Sequence, residues 1–275
     1  MPFECDWPGL VDLSATWITS PELEGRASEI VRTAGQEVRQ ALIKPYEGKP
    51  NEEQLSEDFY IVQLAPTLSA AEAIAQYGAQ IAQIVRGELQ PLSDEERAEV
   101  LLSRISYYPN DMVVVGWTAA LVYDTADGGA TTIQLLEYAN SQLLEFRHYD
   151  QVLTGLLSQV YALLSRGTGF FARWKLAREA GRLNAMRLEV RELTERVDNS
   201  IKFLSDTFAA RVYRLAAARI GVPDYRTLVD EKLRTAGELY QFMMDGFYQS
   251  RGFVLELLIV IILVIELVDL FVRHQ

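Results

Sequence analysis

The hydrophobic pattern of this chain changes character along its length. Residues 59–64, FYIVQL, are aromatic and β-branched, which predicts a strand. Residues 112–115 and 119–123 form two more such runs around Gly116-Trp117-Thr118, which predicts a hairpin. Before that hairpin, Ser69-x-x-Glu72 and Ser93-x-x-Glu96 have the spacing of capping boxes. In such a box the serine oxygen and the glutamate each satisfy one orphan N–H of the first helical turn. The two boxes open helices that run to Arg86 and Leu102. Residues 1–25 show no clear period and read as an irregular arm. Residues 27–43 offer a short helix, and KPYEGKPNEE at 44–53 is a loop.

Beyond the hairpin the period is helical. DTADGGA at 124–130 reads as a turn, and Thr131-x-x-Gln134 as a third capping box. In the long helix that follows, Ile133, Leu136, Tyr138, Leu143, Leu144 and Phe146 are the candidate buried positions. Asn140, Ser141 and Gln142 interrupt its apolar pattern; they either hydrogen-bond across a packed interface or face water. RGTGFF at 166–171 punctuates the chain. A helix is then expected over 174–220, where Leu183, Met186, Val190, Leu193 and Val197 step as a coiled-coil seam. The seam continues through Ile201, Leu204 and Phe208 after a stutter. Gly221-Val-Pro223 predicts a stop, and 225–248 a return helix with Leu228, Leu233, Leu239, Phe242, Met243 and Phe247 inward.

The last apolar run, residues 253–272, holds 17 apolar residues and three acids, Glu256, Glu266 and Asp269. Twenty helical residues span about 30 Å, the thickness of a hydrocarbon core. Each intramembrane acid costs up to about 3 kcal/mol at the bilayer centre, against roughly 0.5 kcal/mol gained per large apolar residue. The three acids share one arc of the helix, so the pattern predicts a transmembrane helix with an acidic stripe turned toward protein. The rival is a helix buried inside an oligomer.

The expected fold class is α+β: a small N-terminal α+β head, a long antiparallel helical hairpin of coiled-coil type, and a C-terminal hydrophobic helix. The expected segments are an irregular or helical arm at 1–56, the head at 57–130, the helical region at 131–252 and the span at 253–272.

Composition narrows the chemistry. The 275 residues carry a formal net charge of -12, with one cysteine and two histidines. Intramolecular disulfides and cysteine-cluster zinc sites are excluded. The charge is uneven: residues 1–150 hold 9 Lys+Arg against 24 Asp+Glu, and residues 151–275 hold 17 against 14. The excess of cations lies on 166–220, so Arg173, Lys175, Arg178, Arg182, Arg187 and Arg191 are candidate contacts for an anionic partner, set against the reading of a solvated helix surface. No phosphate-binding loop, dinucleotide fingerprint, H-E-x-x-H or G-x-S-x-G motif is present. Gly167-Thr-Gly169 reads as a hinge. His148, beside Arg147 and Asp150, reads as a surface histidine rather than a general base. Cys5 lacks the basic surroundings of a reactive thiol. Asp94, Glu95, Glu96 and Glu99 read as first-turn helix charges, and Tyr107, Tyr108, Trp117 and Tyr123 as sheet core rather than base-stacking groups. No catalytic, cofactor or metal residues are expected.

The stretches MVVVGWTAALVYD and LLEYANSQLLEFRHYD resemble the conserved block of the "required for meiotic nuclear division" family, a domain of unknown function. SDTFAARVYRLAAARIGVPDYRTLVDEKL and LELLIVIILVIELV are similar to its tail, and the likeness covers about residues 57–272. The resemblance implies membrane association, support of organellar translation by one member, and no catalytic residues to carry over. With the acidic N-terminus, which is no signal peptide, it points to a single-pass bacterial inner-membrane protein whose N-terminal bulk is cytoplasmic. The expected function is a membrane-anchored, homo-oligomerising scaffold or tether without catalytic activity. The alternatives are an RNA- or ribosome-tethering factor using the basic helix 173–191, and an ion-conducting oligomer with acidic rings. No small-molecule substrate is expected.

Overall fold

The structure is a computed structural model describing residues 4–19, 33–38, 40–41, 55, 57–165, 181–182, 184–192, 195, 207–239, 241–242 and 259–263. The chain divides into two compact units, one of residues 1–148 with 198–226, the other of 149–197 with 227–275. The expected linear boundaries at 56, 130 and 252 do not follow this division.

The first unit is built on a four-stranded sheet of order β1-β4-β3-β2. Its strands are β1 (Tyr60–Leu64), β2 (Arg104–Ile105), β3 (Met112–Val115) and β4 (Ala119–Tyr123). β2, β3 and β4 form an antiparallel meander, and β1 joins β4 in parallel. Every residue of β3 and β4 is buried, so both faces of the sheet are covered. That explains their continuous apolar runs, where a one-faced sheet would alternate. The register assigns the faces. Met112 opposite Tyr123 and Val114 opposite Leu121 share one face with Val62 and Leu64 of β1. On that face they meet Leu10 and Val11, together with Ile81, Ile84, Val85 and Val100.

The helices supplying those residues are α1 (Trp7–Thr19), α2 (Ala70–Arg86) and α3 (Asp94–Leu102). The helix α1 stands where an irregular arm was expected. Pro8 and Gly9 obscured it, yet both lie in the first turn, where proline is tolerated. Asp6 caps the turn by accepting from the Gly9 N–H at 2.9 Å. Trp7 stacks on Tyr77 of α2 with ring centroids 4.5 Å apart. The helix α2 has the full reciprocal box between Ser69 and Glu72 and ends at Gly87, whose φ of 69° is left-handed. A Cβ on Gly87 would lie 2.7 Å from Ile18 Cγ2, so the turn also lets α1 come close. The third helix realises half of its box: Ser93 accepts from the Glu96 N–H at 3.2 Å, while the Glu96 carboxylate pairs with Arg86.

The opposite face of the sheet meets α5 (Thr207–Ile220) and the first turns of α4 (Ala126–Ser165), which bring Gly129 and Leu135 to Val122. The helix α4 begins inside the expected turn, and Thr131 is an interior residue, not a cap. Thr125 is the cap: its Oγ1 accepts from the Gly128 N–H at 3.1 Å and its carbonyl from the Gly129 N–H at 2.9 Å. Gly129 is there for space, since a Cβ would lie 2.6 Å from Gln63 Nε2 and 3.2 Å from Val122 Cγ1. Of the six positions expected to be buried, Leu136, Leu143 and Phe146 are, while Tyr138 is exposed. Gln142, 2% exposed, accepts from the Tyr213 hydroxyl of α5. Asn140 donates to the Glu57 carbonyl at 3.3 Å, and exposed Ser141 bonds back to Glu137. The three polar residues therefore have three different fates.

The second unit is helical in its described parts. Leu153, Leu156, Leu157 and Val160 are buried there, as are Val229, Leu233 and Ala236 of the helix over 222–239. Lys232 bonds the Asp150 carboxylate and, at 2.6 Å, Thr154 Oγ1. Gly221, with φ of 92°, breaks α5 from that helix for a single residue, so the return begins earlier than residue 225. Of its expected inward residues Leu233 is buried, whereas Leu228 and Phe242 are 44% and 68% exposed. Met243 and Phe247 lie outside the described residues, as do Leu183, Leu193, Val197, Ile201 and Leu204 of the expected seam.

The expected single-pass membrane placement is corrected. Among the described residues no helix is long and apolar enough to cross a membrane. Within 253–272 only residues 259–263 are described; they are helical and exposed. The rest of the expected span lies outside the described residues.

Candidate functional site

A cleft of about 680 Å³ opens in the first unit. It lies where β4 ends and α4 begins, beside the loop that leads into β3. Its floor is apolar, made of Val113 and Val122 with Leu135 of α4. Asp124, Thr125, Thr131 and Thr132 line one side. Tyr107, Tyr108, Asn110 and Asp111 line another, with Phe208 of α5 beside Tyr107.

The loop is held by its own polar groups. Asp111 Oδ1 accepts from the Tyr107 N–H at 2.7 Å, and Oδ2 from the Tyr108 N–H at 3.0 Å. The Pro109 carbonyl accepts from the Ala70 N–H at 2.7 Å, which ties the loop to the first turn of α2. These bonds set two tyrosine rings at 85° to each other, centroids 4.7 Å apart. Phe208 adds a third ring 5.2 Å from Tyr107. On the other face of the sheet the Tyr123 hydroxyl accepts from the Thr67 and Leu68 N–H groups at 2.8 and 2.9 Å and donates to the Leu68 carbonyl at 3.1 Å. One buried side chain thus fixes the approach to α2.

The reading of four aromatics as sheet core holds for Tyr123 alone, which is 2% exposed. Tyr107, Tyr108 and Trp117 are 58%, 66% and 63% exposed. The signal was present in the sequence: Pro109-Asn110-Asp111 is turn chemistry and puts the two tyrosines on a loop. Phe208, assigned to a coiled-coil seam, lines this cleft instead.

Of the candidate cationic contacts, Arg182, Arg187 and Arg191 are described and exposed, whereas Arg173, Lys175 and Arg178 lie outside the described residues. Arg191 pairs with Glu195 at 3.5 Å on the same helix face. Glu256, Glu266 and Asp269 also lie outside the described residues, so the structure brings none of that stripe together. Of the acids of α3 expected in its first turn, Asp94 pairs there with Arg97 at 2.9 Å, whereas Glu99 lies in the second turn and pairs with Arg219 at 2.6 Å. His148 is exposed. Burial, with Asp6 alongside, pushes the Cys5 thiol up, away from the thiolate. Among the described residues no group of three or more His, Cys, Asp or Glu could hold a metal ion.

Comparison with known proteins corrects the resemblance read from the sequence. Residues 1–130, just under half of the chain, match the family described as "Uncharacterized protein MJ0711, N-terminal domain". That is not the required-for-meiotic-nuclear-division family. A relative from Methanocaldococcus jannaschii, "Uncharacterized protein MJ0711", is 20% identical over 188 residues, which are 68% of this chain. The match spans 58% of that relative's length. No solved structure matches. The apolar hairpin behind the first resemblance is determined by burial, and such runs recur wherever a sheet is covered on both faces.

Proposed function

We propose that this protein is a homo-oligomerising scaffold, its α+β head carried on a helical unit that joins copies of the chain. The observation that carries the reading is residues 259–263, Ile-Val-Ile-Ile-Leu, each between 46% and 57% exposed. Five consecutive helical residues sweep more than a full turn. A helix apolar all round is stable when surrounded, not when one side rests on a neighbour. Leu188 and Phe242, 70% and 68% exposed, add apolar surface to the same unit. Copies of the segment itself are self-complementary and can close a symmetric bundle. The alternating arginines and glutamates at 187–195 favour this reading over an RNA tether, because they offset each other's charge.

Light scattering on the size-fractionated full-length chain tests the proposal. A defined multimer that falls to a monomer in the Ile261→Glu, Ile262→Arg double variant, with unchanged helical circular dichroism, is the expected result. A parent chain that is monomeric at micromolar concentration overturns it.

A further inference from the structure

The cleft at the end of β4 is lined by residues of the sheet-bearing unit alone, and its chemistry is specific. We propose that it binds a small organic cation, an alkylated ammonium compound, between Tyr107, Tyr108 and Phe208 on one side and Asp124 on the other.

Four observations carry this. First, three aromatic rings among the lining residues form one edge-to-face cluster, Tyr107 with Tyr108 at 85° and with Phe208 at 61°. Ring faces carry partial negative charge and attract a cation wrapped in alkyl groups. Second, the charged residues lining the cleft are Asp111 and Asp124; no lysine, arginine or histidine is among the lining residues. Asp111 spends its oxygens on the loop, accepting from Tyr107 and Tyr108. Asp124 Oδ1 accepts from the Thr125 N–H, and a carboxylate has further lone pairs to give.

Third, the start of α4 is closed to an anion. The Gly128 N–H is taken by Thr125 Oγ1, and Asp124 lies over this turn, its Oδ1 2.5 Å from where a Gly128 Cβ would stand. A helix N-terminus already fronted by a carboxylate repels phosphate and sulfate. Fourth, the loop that carries the two tyrosines is preorganised. The loop is pinned by Asp111 and by the bond from Ala70 to Pro109, so little ordering remains to be done on binding. The volume of about 680 Å³ admits a metabolite-sized molecule with room for a polar tail at Asn110 and Thr131.

The test uses the folded full-length chain, choline chloride, and its neutral carbon isostere 3,3-dimethyl-1-butanol, read by saturation-transfer NMR and calorimetry. Choline should bind at millimolar concentration or below, and the neutral isostere on the order of tenfold more weakly, the share of affinity that a cation–π contact provides. Tyr108→Ala should abolish choline binding, and Tyr108→Phe, which keeps the π face, should retain it. Tyr108 is 66% exposed, so both variants should fold. Asp124→Asn should weaken choline and leave the isostere unchanged. Equal binding of choline and isostere, choline binding that survives Tyr108→Ala, or no choline binding by the folded parent chain each overturns the proposal. Inorganic phosphate, run as the anionic control, should not compete; if it displaces choline, the assignment of charge is wrong.

Discussion

The two compact units bury their apolar residues by different means. In the sheet-bearing unit Val114, Leu121, Leu136 and Ile84 are all fully buried, and the connecting turns are tied by capping side chains and by one tyrosine hydroxyl. In the helical unit Leu188, Phe242 and all of residues 259–263 keep about half or more of their surface exposed. The first unit closes its core with its own chain. The second leaves apolar side chains exposed among its described residues. Apolar content alone does not separate the two cases; what separates them is whether the elements present enough faces to one another.

That contrast can be broken most severely in the sheet. Leu121→Ala removes a side chain with no exposed surface from the middle of β4, and chemical denaturation should show a loss of about 2–5 kcal/mol. The Leu188→Ala counterpart in the helical unit should cost under about 1 kcal/mol in a dilute sample while lowering the apparent mass by light scattering. Equal costs at the two sites would erase the distinction. Tyr123→Phe keeps the ring and leaves the Thr67 and Leu68 N–H groups without their acceptor, at about 1–3 kcal/mol by denaturation. Ser69→Ala removes the α2 cap and should cost about 1 kcal/mol.

The smallest effect is one of pH. Hydrogen bonds from the Ser69 side chain and backbone hold the Glu72 carboxyl below its ordinary value. A carboxylate lowered on folding contributes stability above its unfolded pKa, and that contribution is lost as pH falls through the folded value. Glu72→Gln should therefore flatten the acid limb of the stability curve slightly, with no change at neutral pH beyond the capping difference.

Much of the α+β head was legible in the sequence. β1, β3 and β4 carry patterns that only burial on a sheet satisfies, and Ser69 with Glu72 marked the start of α2 to the residue. The failures have physical causes. Residues 1–25, with Pro8-Gly9, show no period, and Gly128-Gly129 read as a turn, because propensity treats such residues as breakers of a helix interior. Both pairs occupy first turns, where the missing N–H or the close approach of a neighbour reverses the argument. β2 is two residues long and borrows its pairing from β3, so no periodicity could announce it. The cleft escaped because it is assembled from a loop, two helix segments and a strand end, with Phe208 arriving from a hundred residues away.

The parallel pairing of β1 with β4 has a temporal consequence. Leu64 sits opposite Tyr123, so the earliest strand to leave the ribosome waits for the latest before it has a partner. Pairings so distant along the chain are the slow steps of folding. Until they form, Tyr-Ile-Val-Gln-Leu is an unpaired, sticky ribbon. The meander of β2, β3 and β4 pairs strands that are near neighbours along the chain, so contact order makes β1 the strand expected to join last.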